Sequence, residues 1–280
     1  MSNITAADVN KLRKSTGAGI MDCKKALVEA NGDFDLAIEN LRKKGQKVAA
    51  KRADRESREG AVIAKVNSDS KSGVIISLNC ETDFVAKNES FISLATHIAE
   101  LALSSNSKED LLDSKIQSMS VHEKLIEQTG VIGEKLEIGS FEKIDSEFVG
   151  SYIHAGNKIA TIVGLSTNFD QAHEVAKNIC MQVAAMNPVA LNEDGVSNEI
   201  IDKEIEIAKE QLRSEGKPEA MLDNIAKGKL KKYFKDNTLI NQVFIKDNKI
   251  SVNDYIKSVN SDCFITCLLY TSPSPRDRSL

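Results

Sequence analysis

Residues Ala61-Val62-Ile63-Ala64-Lys65-Val66, the polar run Asn67-Ser68-Asp69-Ser70-Lys71-Ser72, and Gly73-Val74-Ile75-Ile76-Ser77-Leu78 read as two strands joined by a turn. Short apolar, β-branched runs bounded by turn residues are the signal of a hairpin. A helix follows, with Phe91, Leu94, Ala95, Ile98, Ala99 and Ala102 at helical spacing. The same plan recurs downstream. Phe148–His154 and Lys158–Leu165 flank Ala155-Gly156-Asn157, and a helix carrying Val175, Ala176, Ile179 and Val183 follows. At an offset of 81 residues Leu94 falls on Val175, Ala95 on Ala176 and Ile98 on Ile179. The pattern predicts an α+β core made of two hairpin-plus-helix units, each antiparallel sheet backed by helix.

Smaller units surround this core. Residues 1–45 predict three short helices. Thr5-Ala6-Ala7-Asp8 has the form of a capping box, and Gly17-Ala18-Gly19 breaks the chain. Ile20, Cys23, Leu27 and Ala30 then recur at helical spacing, and Phe34, Ala37, Ile38 and Leu41 form the stripe of a third helix. Asp33 and Asp35 open that helix, and Arg42, Lys43 and Lys44 close it before Gly45, an order that complements the helix dipole. Three helices in so short a span resemble a ubiquitin-associated (UBA) bundle. Residues 46–59 are mostly charged and small and predict a solvated linker or an exposed helix, a tether between the bundle and the core. The core then divides into a first half at 60–140 and a second half at 141–262. Within the second half, residues 198–235 predict an antiparallel helical hairpin, a coiled-coil arm: Ile201, Ile205, Ala208 and Leu212 line one helix, Gly216-Lys217-Pro218 turns the chain, and Leu222, Ile225 and Leu230 line the return. Residues 263–280 lack a core pattern, and Thr271-Ser272-Pro273-Ser274-Pro275 predicts disorder.

The two units differ in one place. The connection from strand to helix is longer in the first, and the excess is Thr82-Asp83-Phe84-Val85-Ala86-Lys87-Asn88. Added loop length often carries function. An alternative is that the helix starts near Thr82, with Phe84 in its first turn. An aromatic at such a point is either folded into the core or offered to a partner.

Composition narrows the function classes. The chain has 280 residues, 41% hydrophobic residues and a net charge of −4. Residues 1–60 carry 13 Lys and Arg against 9 Asp and Glu, so the basic excess is modest, and a solvated helical surface explains it better than a nucleic-acid patch. Five cysteines, at 23, 80, 180, 263 and 267, match no zinc or redox spacing, and reduced thiols in a cytoplasmic protein are expected. No signal peptide or membrane-spanning run is expected either. Gly17-Ala18-Gly19 has neither the strand nor the third glycine of a dinucleotide site, and no phosphate-binding loop occurs. The four histidines are scattered. His154, ending a strand beside a glycine turn, is a candidate contact residue, and no catalytic set can be assembled around any of them. A non-enzymatic binding module is expected, with no cofactor and no metal.

Two long motifs carry a family resemblance. Asn79-Cys80-Glu81-Thr82-Asp83-Phe84-Val85-Ala86-Lys87-Asn88 resembles the signature loop of the elongation factor Ts family, and so does Leu12-Arg13 through Thr16-Gly17-Ala18-Gly19, Met21-Asp22-Cys23-Lys24-Lys25-Ala26-Leu27 in the first bundle. Gly150-Ser151-Tyr152-Ile153-His154 and Ala184-Ala185-Met186-Asn187-Pro188 are similar to two further family segments. The resemblance implies a guanine-nucleotide exchange factor that binds the GTPase elongation factor Tu and speeds GDP release. It implies the fold outlined above, no direct nucleotide or nucleic-acid binding, and no membrane association. It also implies that Phe84, with Thr82, Asp83 and Val85, enters the GTPase near its magnesium and phosphate site. Thr16, Gly17, Met21 and Lys24 would contact the same GTPase domain. A UBA-type adaptor without exchange activity is the alternative. Ala155 stands where the family usually has Gly, and Val243 where Pro often precedes the Phe. Motif agreement ends at residue 262, which predicts a second half short of an edge strand.

Overall fold

In the computed structural model, residues 4–273 are described. Three helices open the chain: α1 (Ala6–Thr16), α2 (Ile20–Glu29) and α3 (Phe34–Arg52). Thr5 and Asp8 form the capping box expected of them, each side chain accepting from the other's backbone N–H. Gly17 ends α1 with φ 71°, a left-handed conformation that glycine adopts without a steric penalty. Leu12, Cys23, Leu27 and Ala37 are fully buried between the helices.

The first core unit comprises β1 (Glu59–Val66), β2 (Ser72–Cys80), a one-turn helix α4 (Asp83–Ala86), α5 (Glu89–Ala102), α6 (Lys108–Asp113), the short ladder β3 (Lys115–Ile116) and β4 (Met119–Ser120), α7 (Val121–Ile132) and β5 (Glu137–Asp145). The second comprises β6 (Phe148–Ile153), β7 (Ala160–Leu165), α8 (Ala172–Met186), α9 (Asn198–Ser214), α10 (Glu219–Asn237), β8 (Val243–Phe244), β9 (Asp247–Ser251), α11 (Val252–Val259) and β10 (Ile265–Thr271).

Each unit contributes a three-stranded antiparallel sheet, β1-β2-β5 and β6-β7-β10, with the second strand of the hairpin in the middle. The likeness between the units therefore extends to a third strand. Alternation along the strands sorts side chains into layers. Ala61, Ile63, Val74, Ile76 and Leu78 face α5, whereas Val62, Ala64 and Ile75 face the other sheet and meet Val149, Ala160 and Ile162 there. Phe148, Val163 and Leu165 face α8. The order is helix, sheet, sheet, helix, which explains why both hairpins read as near-continuous apolar runs. The sheets are also stitched through backbone, with Val62 N–H donating to the Asn157 carbonyl at 2.8 Å and Val149 N–H to that of Ser70 at 2.6 Å.

Two expectations are corrected. The third helix does not stop before Gly45: α3 continues through it to Arg52, so residues 46–52 are helix. Residues 46–52 are mostly good helix formers. Gly45 also faces Gly130 of α7 so closely that a Cβ on Gly130 would lie 2.4 Å from Gly45 Cα. This crossing, with Val131 packed on the N-terminal cluster, fastens the first three helices to the core. The tail at 263–280 is ordered in part: β10 pairs with β7 from Ile265↔Leu165 to Thr271↔Ala160, so the second half does have its third strand. Hydrophobic side chains buried at Cys263 and Ile265 hold that strand against the core. Residues 274–280 of the same expectation lie outside the described residues.

The α9–α10 pair folds back on itself around Ala208, Leu212, Leu222 and Ala226, with ion pairs Lys209–Asp223 (2.6 Å) and Arg213–Glu219 (2.8 Å) across it. Among the described residues, no helix is long and apolar enough to cross a membrane.

Candidate functional site

The segment from Thr82 to Asn88 is neither a long loop nor the start of α5. Thr82 caps the one-turn helix α4, its hydroxyl accepting from Val85 N–H at 3.5 Å, and Asn88 caps α5 separately through Ser90 N–H at 2.9 Å. Within α4 the side chains diverge. Ala86 is buried and Val85 packs on the core beneath, whereas Phe84 is 82% exposed. Of the two readings left open for this aromatic, the outward one is the one observed. Asp83 lies beside it and pairs with Lys87 at 2.6 Å. That hydrogen bond holds the Asp83 carboxyl below its ordinary range and raises the Lys87 ammonium.

The turn is held from behind by two carboxylates. Glu134 follows Gly133, the residue that ends α7 with φ 81°. Its Oε2 accepts from Glu81 N–H (3.1 Å) and Thr82 N–H (3.0 Å), and its Oε1 from the Thr82 hydroxyl (2.6 Å). Glu81 accepts from Lys135 N–H at 2.7 Å, and Arg52 Nη1 at the end of α3 donates to both of its oxygens, at 2.7 and 2.8 Å. Burial pushes the Glu81 carboxyl up, but the Lys135 N–H and the Arg52 guanidinium outweigh it and leave the group below its ordinary value. Cys80, directly before it, is pushed up to about 12 by burial and by the nearby Glu134 charge, so it stays a thiol. None of Glu134, Lys135 and Arg52 stands out in the sequence, because their partners are 29 or more residues away.

The other candidate residues fall into two groups. His154 follows β6, is exposed, and its Nδ1 lies 3.0 Å from the Tyr152 hydroxyl. Its hairpin is fastened to the start of β1, where Lys158 pairs with Glu59. Glu59 is itself opposite Cys80 in the sheet, so His154 and α4 emerge from the same end of the core. In the N-terminal helices Met21 is 74% exposed, and Lys24 is exposed one turn on. Ile20 and Val28 share that outer surface. Of the helically spaced Ile20, Cys23, Leu27 and Ala30, the last three are buried, whereas Ile20, the first residue of α2, is exposed. Thr16 and Gly17 act locally, Thr16 Oγ1 donating to the Leu12 carbonyl at 2.8 Å and Gly17 N–H to that of Arg13. Asp22, beside Met21, pairs with Lys44 of α3, and eight residues further along α3, about 12 Å at the helical rise, Arg52 reaches Glu81.

A family model described as elongation factor TS matches residues 81–271 of the chain. The chain belongs to the elongation factor Ts family. The matched region begins at the residue that anchors the aromatic turn and includes β10, beyond the point at which the motifs alone stop agreeing. The chain is 68% identical to Elongation factor Ts of Christiangramia forsetii over 260 residues, which covers 93% of this chain and 95% of that protein. It is 64% identical to the Flavobacterium psychrophilum protein of the same name, with 95% and 97% covered. The Cytophaga hutchinsonii protein, also Elongation factor Ts, is 45% identical with 98% and 100% covered. Family membership makes the chain a translation elongation factor of mixed α and β structure.

Proposed function

We propose that this chain binds elongation factor Tu and accelerates release of GDP from it in the cytoplasm, with Phe84 as the inserted wedge. The observation that carries the proposal is the exposure of Phe84 on a turn whose neighbours, Val85 and Ala86, are anchored in the core. A large apolar ring held in water at one fixed place is available for burial in a partner without rearranging its own protein.

No catalytic group is needed for such an activity. A factor that binds the nucleotide-free GTPase more tightly than the nucleotide-bound one must, by linkage, weaken nucleotide binding by the same factor. Burying one Phe side chain contributes roughly 1.5–3 kcal/mol. At about 1.4 kcal/mol per decade this is about one to two decades of nucleotide affinity. A wider interface supplies the rest. Within this reading, α1–α3 form a UBA-like bundle whose exposed Ile20, Met21, Lys24 and Val28 surface meets the same GTPase, α9–α10 form a coiled-coil arm, and His154 is a further contact at the core end that carries Phe84. The chain itself holds neither nucleotide nor metal in this mechanism, and it needs no nucleic acid.

The test is stopped-flow release of a fluorescent GDP from preloaded elongation factor Tu against excess unlabelled GDP. Release is expected to accelerate with rising concentration of the chain. A release rate independent of its concentration would overturn the proposal.

A further inference from the structure

We propose that Glu134 is a positioning residue for exchange: its carboxylate holds the Thr82–Ala86 turn in the orientation that projects Phe84, and so sets how often the ring is available to the partner. The inference rests on the wedge reading of Phe84 and goes beyond it, because Glu134 lies in another segment and does not share the exposed surface.

The geometry is that of a clamp. The backbone N–H groups of Glu81 and Thr82 leave the sheet where β2 ends, so the ladder offers them no acceptor. Buried or half-buried N–H groups need one. Glu134 Oε2 accepts from both, at 3.1 and 3.0 Å, and Oε1 accepts from the Thr82 hydroxyl at 2.6 Å. Because the Thr82 hydroxyl donates its proton to Glu134, its lone pairs are left facing Val85 N–H, which caps α4. One carboxylate thus fixes both the path of the chain into α4 and the cap that keeps α4 helical. An acceptor-only group suits these three donors, and hydrogen bonds to an ionised acceptor are the stronger kind. A four-residue helix does not persist on its own. Without the clamp, Phe84 would sample several directions while the sheet and α5 beneath stayed folded.

A role through Phe84 is separable from a role in overall stability. Apparent affinity falls with the fraction of molecules in the competent conformation, so a turn correctly placed one-tenth of the time lowers stimulation about tenfold. Glu134→Ala is expected to slow stimulated GDP release by about that factor. Glu134→Gln keeps one acceptor oxygen and is expected to fall between Ala and wild type. In a Phe84→Ala background, Glu134→Ala is expected to add no further loss, because the positioned group is already gone. A merely structural role would give the same fold-loss in both backgrounds. Hydrogen exchange gives a second readout: in Glu134→Ala the Glu81 and Thr82 amides are expected to lose protection while those of β1 and β2 keep theirs. If Glu134→Ala does not fold, Glu134→Gln and Thr82→Val carry the same comparison. A wild-type rate in Glu134→Ala, or equal losses with and without Phe84, would overturn the inference. Slow release in Phe84→Ala beside a wild-type rate in Glu134→Ala would sink this inference and leave the wedge standing; wild-type release in Phe84→Ala would sink both.

Discussion

The crossing of α3 on α7 makes an asymmetric expectation from two glycines that touch each other. A Cβ added to Gly130 would lie 2.4 Å from Gly45 Cα and 3.2 Å from Gly45 N, all backbone that no side-chain rotation can relieve. Carbon atoms pack at about 3.5–4.0 Å, so the helices would have to part by roughly 1–1.5 Å. Overpacking of this kind costs about 1–3 kcal/mol. A Cβ added to Gly45 has the Ile126 carbonyl oxygen as its nearest neighbour at 3.3 Å, tight but nearly accommodated. Both positions are helical, and replacing Gly by Ala in a helix gains up to about 1 kcal/mol. Gly45→Ala is therefore expected to be neutral to stabilising, and Gly130→Ala to be destabilising by up to about 2 kcal/mol after the propensity gain. Thermal unfolding followed by circular dichroism separates them, at about 2–4 °C per kcal/mol for a chain of this size. Equal midpoints, or a lower midpoint for Gly45→Ala, would refute the close-approach reasoning.

Phe91 and Phe84 form a contrasting pair: Phe91 is 1% exposed in the first core cluster, so Phe91→Ala is expected to destabilise by about 3–5 kcal/mol in urea unfolding. Met21→Asp, on an exposed position of α2, is expected to leave the unfolding free energy within about 0.5 kcal/mol of wild type while weakening capture of elongation factor Tu in a titration. Glu81 supplies a pH dependence. Its carboxyl is held below the ordinary value of 4.5, so the unfolded chain takes up the proton first, and the stability it contributes is present above that value and lost as pH falls through the folded one. Glu81→Gln is accordingly expected to flatten the acid limb of a stability-against-pH curve below about pH 4.5 and to leave a smaller difference from wild type there than at neutral pH.

What could be read in the sequence was local. The two hairpins were legible because strands buried on both faces write apolar runs, and the caps at Thr5 and Gly17 because their chemistry spans only a few residues. Phe84 was visible as an anomaly, and its two possible fates are not distinguishable without knowing which way a single helical turn faces. Charge order and a glycine both signal a stop for α3 at Gly45, where the helix in fact continues. The contact that overrides them is with Gly130, a residue in a different element. β10 is not legible locally for a similar reason: its register against β7 is set by pairing across about a hundred residues, and the composition nearby points to disorder. Glu134 is the instructive omission. It is an unremarkable acid after a glycine, and only the fold brings it to the donors of Glu81 and Thr82.

The most direct measurement is stimulated GDP release by Phe84→Ala beside wild type, with thermal unfolding run on both. Phe84 is 82% exposed, so the thermal midpoint is expected to be unchanged. Release is expected to slow by about tenfold or more, from the roughly 1.5–3 kcal/mol that burial of the ring contributes. A variant that folds like wild type and stimulates release as fast as wild type would contradict the assignment of Phe84 as the wedge.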